Sequence, residues 1–319
     1  MIDPEVGFTS DVIKDHERFV GRTDLIKSCV QALNSPMSLI AIYGKRGVGK
    51  SSLLRQIQQM ALGDYTLVKN AGLKHEIPEK PRTYLTVYYT CDSLIKNGED
   101  LIARLCNDQD EEDGLLRLVP DDGKEIIEFS RTKEVSGGAD LKVVKWGAKG
   151  VESTKYARVV PGDTIQTFRN FISSIVSNQV KGRMKRDGLL ILLDEFDVLS
   201  NKDGLGSIIK SLSSKEVKFG ICGIGQDLHD LVEDHASVER LLEQGAMHVK
   251  PMPQPEAIGV LERAEELYKG EFKFEDNVKT LIASASAGYP YFIQMIGKAC
   301  VSKASSLGLH TADKVVFDS

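Results

Sequence analysis

An α/β fold around a mostly parallel sheet is predicted by three observations. Apolar, β-branched segments alternate with helical ones along most of the chain, the order that places helices on both faces of a parallel sheet. One apolar run leads directly into a glycine-rich loop and then a helix. Another, five consecutive apolar residues, ends in carboxylates. At 319 residues the chain is long enough for one large domain or two ordinary ones with a proper core.

The first landmark is Arg18-Phe19-Val20-Gly21-Arg22-Thr23-Asp24-Leu25, in which Thr23 or Asp24 is expected to cap a helix through Ile26, Val30 and Leu33. Leu39-Ile40-Ala41-Ile42-Tyr43 reads as a buried strand, and a helix carrying Leu53, Leu54 and Ile57 follows the loop. Thr83 to Tyr89 is β-branched and aromatic, hence a strand, with a helix from about Gly98 to Asn107 after it. Asp163 or Thr164 opens a helix whose Ile165, Phe168, Ile172, Ile175 and Val176 recur at helical spacing. Val217 to Cys222 and Met247-His248-Val249 complete the strands.

Two regions interrupt this rhythm. Residues 107–130 are acidic and turn-rich, which predicts a solvated loop with a short helix. Residues 131–160 hold two strand-like runs, Leu141 to Trp146 and Thr154 to Val160, which predict an inserted β-hairpin. Its Lys142, Lys145 and Lys149, interleaved with Trp146 and Tyr156, fit contact with a nucleic-acid strand. They fit better a solvated hairpin whose lysines protect its edges. From Pro255 onward only helices are expected, with Pro290 at a favoured first-turn position. The resulting division is residues 1–253, with an insertion at about 107–162, followed by a helical lid over 254–319.

Gly44-Lys45-Arg46-Gly47-Val48-Gly49-Lys50-Ser51 is a complete phosphate-binding loop between a strand and a helix. Its glycines let backbone N–H groups point at phosphate oxygens, where a helix dipole also favours negative charge. Gly44, Gly47, Val48, Gly49 and Ser52 are the backbone candidates, Lys50 reaches the β- and γ-phosphates, and Ser51 ligates Mg²⁺. Leu189 to Leu193 is a continuous apolar run, as expected of a parallel strand covered on both faces, and it ends in Asp194-Glu195-Phe196-Asp197. Asp194 fits the Mg²⁺ side of such a site and Glu195 the group that polarises the attacking water. Asp197 is read as solvated or as supporting those two residues from behind, with no firm role.

The net charge of −5 argues against a surface that coats nucleic acid throughout, without excluding a local basic patch. Five scattered cysteines and six histidines without ligand spacing predict neither a disulfide framework nor a zinc site and suit a reducing cytosol. No apolar run approaches a membrane span, and the N-terminus lacks an apolar signal core. A cytoplasmic protein is expected.

The order Phe19-Val20-Gly21-Arg22, phosphate loop, Asp194-Glu195, Gln226, Arg240, Gly288-Tyr289-Pro290 resembles AAA+ ATPases of the origin-recognition-like branch. It resembles equally the neighbouring STAND signal-transduction ATPases. The resemblance covers about residues 15–305 and rests mainly on the two Walker motifs. It implies an ASCE-type P-loop core with a helical lid, ATP and Mg²⁺ as ligands, and oligomer assembly on ATP binding. Val20, Gly21 and Pro290 become candidate adenine contacts, and Gln226 a sensor of the γ-phosphate or attacking water. Arg240 becomes a finger reaching a neighbour's nucleotide, or else a surface arginine in an ion pair. The lid helix lacks the arginine common in other AAA+ branches, which favours the STAND likeness. Two functions stand: an ATPase that couples nucleotide state to assembly or to remodelling of a protein or DNA, and a slow nucleotide switch that recruits a protein effector. Members of the group usually continue beyond the lid into a winged-helix or effector domain.

Overall fold

The computed structural model describes residues 2–107, 114–115, 118, 126–133, 139–146, 157–159, 161–199, 201–202, 205–226, 240–243 and 245–319. Helix α1 (Thr23–Asn34) leads to β1 (Leu39–Gly44), the glycine-rich loop and α2 (Lys50–Leu62). A short α3 (Thr66–Asn70) precedes β2 (Tyr84–Thr90) and α4 (Gly98–Asn107). Three strands follow, β3 (Ile126–Lys133), β4 (Ala139–Trp146) and β5 (Ala157–Val159). Then α5 (Pro161–Ile175) runs on as a π-helical stretch, Val176–Arg183. Next come β6 (Gly188–Asp194), α6 (Leu205–Leu212), β7 (Val217–Ile224) and β8 (Ala246–His248). The C-terminal part holds α7 (Gln254–Leu267), β9 (Lys273–Phe274), α8 (Asp276–Ala285), α9 (Pro290–Ser306), β10 (Thr311–Ala312) and α10 (Lys314–Asp318).

The main sheet has the order β2-β6-β7-β1-β8, and every pairing in it is parallel. Strand β7 therefore separates the loop-bearing β1 from the carboxylate-bearing β6, the arrangement of the ASCE type. Alternate residues of each strand supply opposite faces. Leu189, Ile191 and Leu193 join Leu39, Ala41, Phe219 and Ile221 under α4, α5 and α6. Leu190 and Leu192 join Ile40, Ile42, Tyr84 and Tyr88 under α1 and α2. This two-sided burial is why β6 reads as an unbroken apolar run, each such side chain contributing about 1.5–3 kcal/mol when fully buried.

A separate apolar cluster joins the C-terminal helices through Leu261, Val278, Ile282, Ile293 and Val301. Ile2 and Phe8 belong to it, so the N-terminal segment packs into the C-terminal bundle.

Several expectations are refined. Helix α1 begins at Thr23 with Arg22 as its N-cap residue, so neither Thr23 nor Asp24 caps it by a side chain. Helix α5 begins at Pro161, whose fixed φ suits a first turn, rather than at Asp163 or Thr164. The insertion is a three-stranded antiparallel sheet, order β3-β4-β5, with β3 occupying residues expected to lie in a loop. The C-terminal part is not wholly helical, since β9 and β10 pair across two residues each. Lys149 and Tyr156 lie outside the described residues.

Candidate functional site

Strand β1 delivers the chain to Gly44 and α2 starts at Lys50, so the loop is a turn between a buried strand and a helix N-terminus. Gly49 is the helix N-cap residue at φ 93°, a left-handed conformation that a residue with a Cβ adopts only under strain. Helix α2 thus presents its first N–H groups and the positive end of its dipole to the loop. Lys50, on the first turn, is buried and its Nζ donates to the Lys45 carbonyl at 2.9 Å, across the loop. Burial lowers its pKa, and Cys222, Asp197 and Asp194 oppose that effect. A partly desolvated cation in this position is matched by phosphate oxygens.

Asp194 closes β6 and is buried. Its Oδ2 accepts from the Tyr88 hydroxyl at 2.5 Å and its Oδ1 from the Glu195 amide at 2.9 Å. Glu195 is exposed and has φ 52° and ψ 35°, left-handed backbone at a residue with a side chain. Such a conformation costs of order 1–3 kcal/mol and is found where surrounding structure imposes it, commonly at functional sites. Asp197 is not simply solvated: its Oδ1 accepts from the Ile224 amide at 2.7 Å and pins the end of β7 to the turn after β6. Ile224 pairs with Gly44, so this turn is tied to the strand beside the loop.

Arg22 is a structural link that the sequence did not reveal. Its guanidinium donates to the carbonyls of Lys250 at 2.6 Å and Val48 at 3.0 Å, joining the loop to the segment that enters the C-terminal helices. Desolvation lowers its pKa, and Glu256 works the other way. Where that segment meets the α8–α9 turn, the Met252 amide donates to the Gly288 carbonyl at 2.7 Å. Helix α9 then begins against the loop, where the Tyr291 amide donates to the Gly47 carbonyl at 3.3 Å. A cleft beside the loop is lined by Val20, Val48, Ser52, Met252, Val260 and Pro290, among others. Gly21, next to Val20, has φ 71° and lies close against the Glu256 side chain.

Gln226 is exposed just beyond β7, the strand next to β1. Arg240 is exposed on a helical turn described over residues 240–242, and the chain between it and Gln226 lies outside the described residues. The Ser51 hydroxyl and Asp194 carboxylate are hard oxygen donors, and one carboxylate plus nucleotide phosphates is a usual Mg²⁺ environment. These residues therefore fit Mg²⁺ carried with a nucleotide.

The parallel sheet with β7 between β1 and β6, together with the phosphate loop, is the fold of P-loop NTPases of the AAA+/STAND type. A family model described as novel STAND NTPase 1 matches residues 7–79, the stretch that contains the loop. Among solved structures, the Aeropyrum pernix Orc1 protein in complex with DNA is 12% identical, with a TM-score of 0.52 over 99% of this chain and 68% of that one. Cdc6p from Pyrobaculum aerophilum is 13% identical, with a TM-score of 0.52 over 98% of this chain and 68% of that one. A Thermotoga maritima RuvB variant is 12% identical, with a TM-score of 0.50 over 95% of this chain and 71% of that one. At these identities the likeness is one of fold. No curated protein matches the chain.

Proposed function

We propose that this protein binds ATP with Mg²⁺ and hydrolyses it, coupling nucleotide state to assembly or to remodelling of a partner. The observation that carries this reading is the pairing of a buried, doubly hydrogen-bonded Asp194 with an exposed, left-handed Glu195 at the strand end beside the phosphate loop. Gly44, Gly47, Val48, Gly49, Lys50 and Ser52 hold the phosphates, and Ser51 and Asp194 hold the metal ion. Mg²⁺ neutralises charge on the phosphates when bound. Glu195 takes the proton of the attacking water, and Gln226 orients that water or the γ-phosphate. Val20, Gly21 and Pro290 surround the adenine. Residues 1–253, with their insertion at about 107–162, act as the core and residues 254–319 as a lid that meets the loop through Tyr291. Arg240 acts from a neighbouring copy in an oligomer. Among the described residues no helix is long and apolar enough to cross a membrane, in keeping with a cytoplasmic setting.

A second reading is a slow switch whose ATP-bound form recruits a protein effector without DNA contact. It is favoured by the first turn of α9, where Pro290, Tyr291, Phe292 and Ile293 supply no cation to the phosphates. The similar Orc1 structure is a DNA complex, which makes DNA the first partner to test.

Phosphate release per protomer, measured against protein concentration, separates the readings. Glu195→Gln is expected to keep ATP affinity and lose at least about 100-fold in turnover, since an amide is not a base. Wild-type turnover is expected to rise with concentration and that of Arg240→Ala to stay flat, because a finger acts in trans. Slow wild-type turnover at every concentration, with or without duplex DNA, would select the switch.

A further inference from the structure

Asp194 is held by more than its own strand. The register pairs Tyr88 with Leu192 and Thr90 with Asp194, so Tyr88 stands two residues short of the strand end on the face covered by α2. From there its hydroxyl reaches along the sheet to Oδ2 at 2.5 Å, while the Glu195 amide fixes Oδ1 at 2.9 Å. With directed donors on both oxygens, and the buried Cys222 thiol also against the carboxylate, the plane of the carboxylate is set. The Tyr88 ring is 2% exposed, and the Arg55 guanidinium of α2 lies 3.4 Å from its centroid. Arg55 is one turn beyond Ser51 on the same helix. The helix that carries one proposed metal ligand thus clamps the tyrosine that orients the other.

We propose that Tyr88 is a positioning residue for Mg²⁺ bound with the nucleotide, acting through the Asp194 carboxylate. A buried phenol needs a hydrogen-bond partner, and any nearby carbonyl would satisfy it. Here the partner is the one carboxylate assigned to the metal ion. Partners of this outer kind typically set metal affinity by 10–100-fold. The inference rests on the metal role proposed for Asp194.

The test is ADP and ATP affinity by calorimetry, in EDTA and across a Mg²⁺ series, for wild type and Tyr88→Phe. The ring, its packing and the Arg55 stack survive this substitution, so only the directed oxygen is lost. Tyr88→Phe is expected to match wild type in EDTA and to need about 10–100-fold more Mg²⁺ for the metal-dependent gain in affinity. In an Asp194→Asn background the same substitution is expected to add no further loss, because both changes act through one group. Equal Mg²⁺ requirements in wild type and Tyr88→Phe would reduce Tyr88 to a packing residue and leave the role of Asp194 standing. A loss in EDTA as large as that in Mg²⁺ would also overturn the proposal, since it would mark distortion of the loop. A wild type whose affinity ignores Mg²⁺ would remove the metal role of Asp194 and this proposal with it.

Discussion

Single backbone positions decide how the C-terminal helices meet the loop. Gly288 has φ 75°, and a Cβ there would lie 2.1 Å from the Met252 carbonyl oxygen. Gly288→Ala must therefore break the contact between the entry to α7 and the α8–α9 turn. We expect a loss of about 1–3 kcal/mol in urea denaturation, with weaker ATP binding because Pro290 moves from the cleft. The phosphate loop and Asp194-Glu195 were legible because each is a contiguous stretch whose chemistry and flanking strand are written together. Arg22 and Tyr88 were not legible in their roles. Their hydrogen bonds reach Val48 and Asp194, 26 and 106 residues away, and no local pattern announces such a partner. The left-handed Glu195 was hidden for a related reason, since the turn after β6 is imposed by Asp197 holding the end of β7.

Among elements, the parallel strands were readable from their apolar runs because both faces of the sheet are covered. Strand β3 was not, for its acidic and turn-rich approach masks a run that pairs with β4. Strand β7 carries a feature that apolar patterning also conceals, the fully buried Lys218 near its start. This end of the sheet is opposite the loop. Its Nζ donates to the Ala32 carbonyl at 2.6 Å, the Ser35 carbonyl at 2.5 Å and Ser38 Oγ at 2.9 Å, tying β7 to the end of α1. Burial lowers its pKa to about 7. Between that value and the ordinary lysine value near 10.4, the unfolded chain holds a proton that the folded chain has released, and the neutral amine keeps two N–H groups for its three oxygen partners. The contribution of this group to stability therefore rises with pH across the window and is lost as pH falls toward 7. Urea denaturation from pH 7.5 to 9.5 is expected to show wild type gaining on Lys218→Met by up to about 1.4 kcal/mol per pH unit.

At the scale of the whole molecule, the N-terminal segment joins the two parts of the chain. Phe8 sits edge-on to Phe274 and against Gly297 in the C-terminal bundle. A few residues on, the Ile13 amide donates to Ser52 Oγ at 3.1 Å, and Gln56 donates to the carbonyls of Ile13 and Lys14, at 3.3 and 3.2 Å. The segment thus ties the bundle to the helix that follows the phosphate loop. Phe8→Ala is expected to destabilise the bundle by about 3–5 kcal/mol in denaturant unfolding and to weaken ATP binding without touching the loop. Unchanged ATP affinity in that variant would mean that the bundle does not act as a lid. At the nucleotide site, the loop from Gly44 to Ser51 is proposed to bind a nucleoside triphosphate with Mg²⁺. The decisive measurement is calorimetric titration of ATP with Mg²⁺ into wild type and Lys50→Ala. Saturable binding to wild type that falls at least about tenfold in Lys50→Ala is the predicted result, because the phosphates lose a charge-assisted partner. Equal binding by the two proteins, or none by wild type, would contradict it.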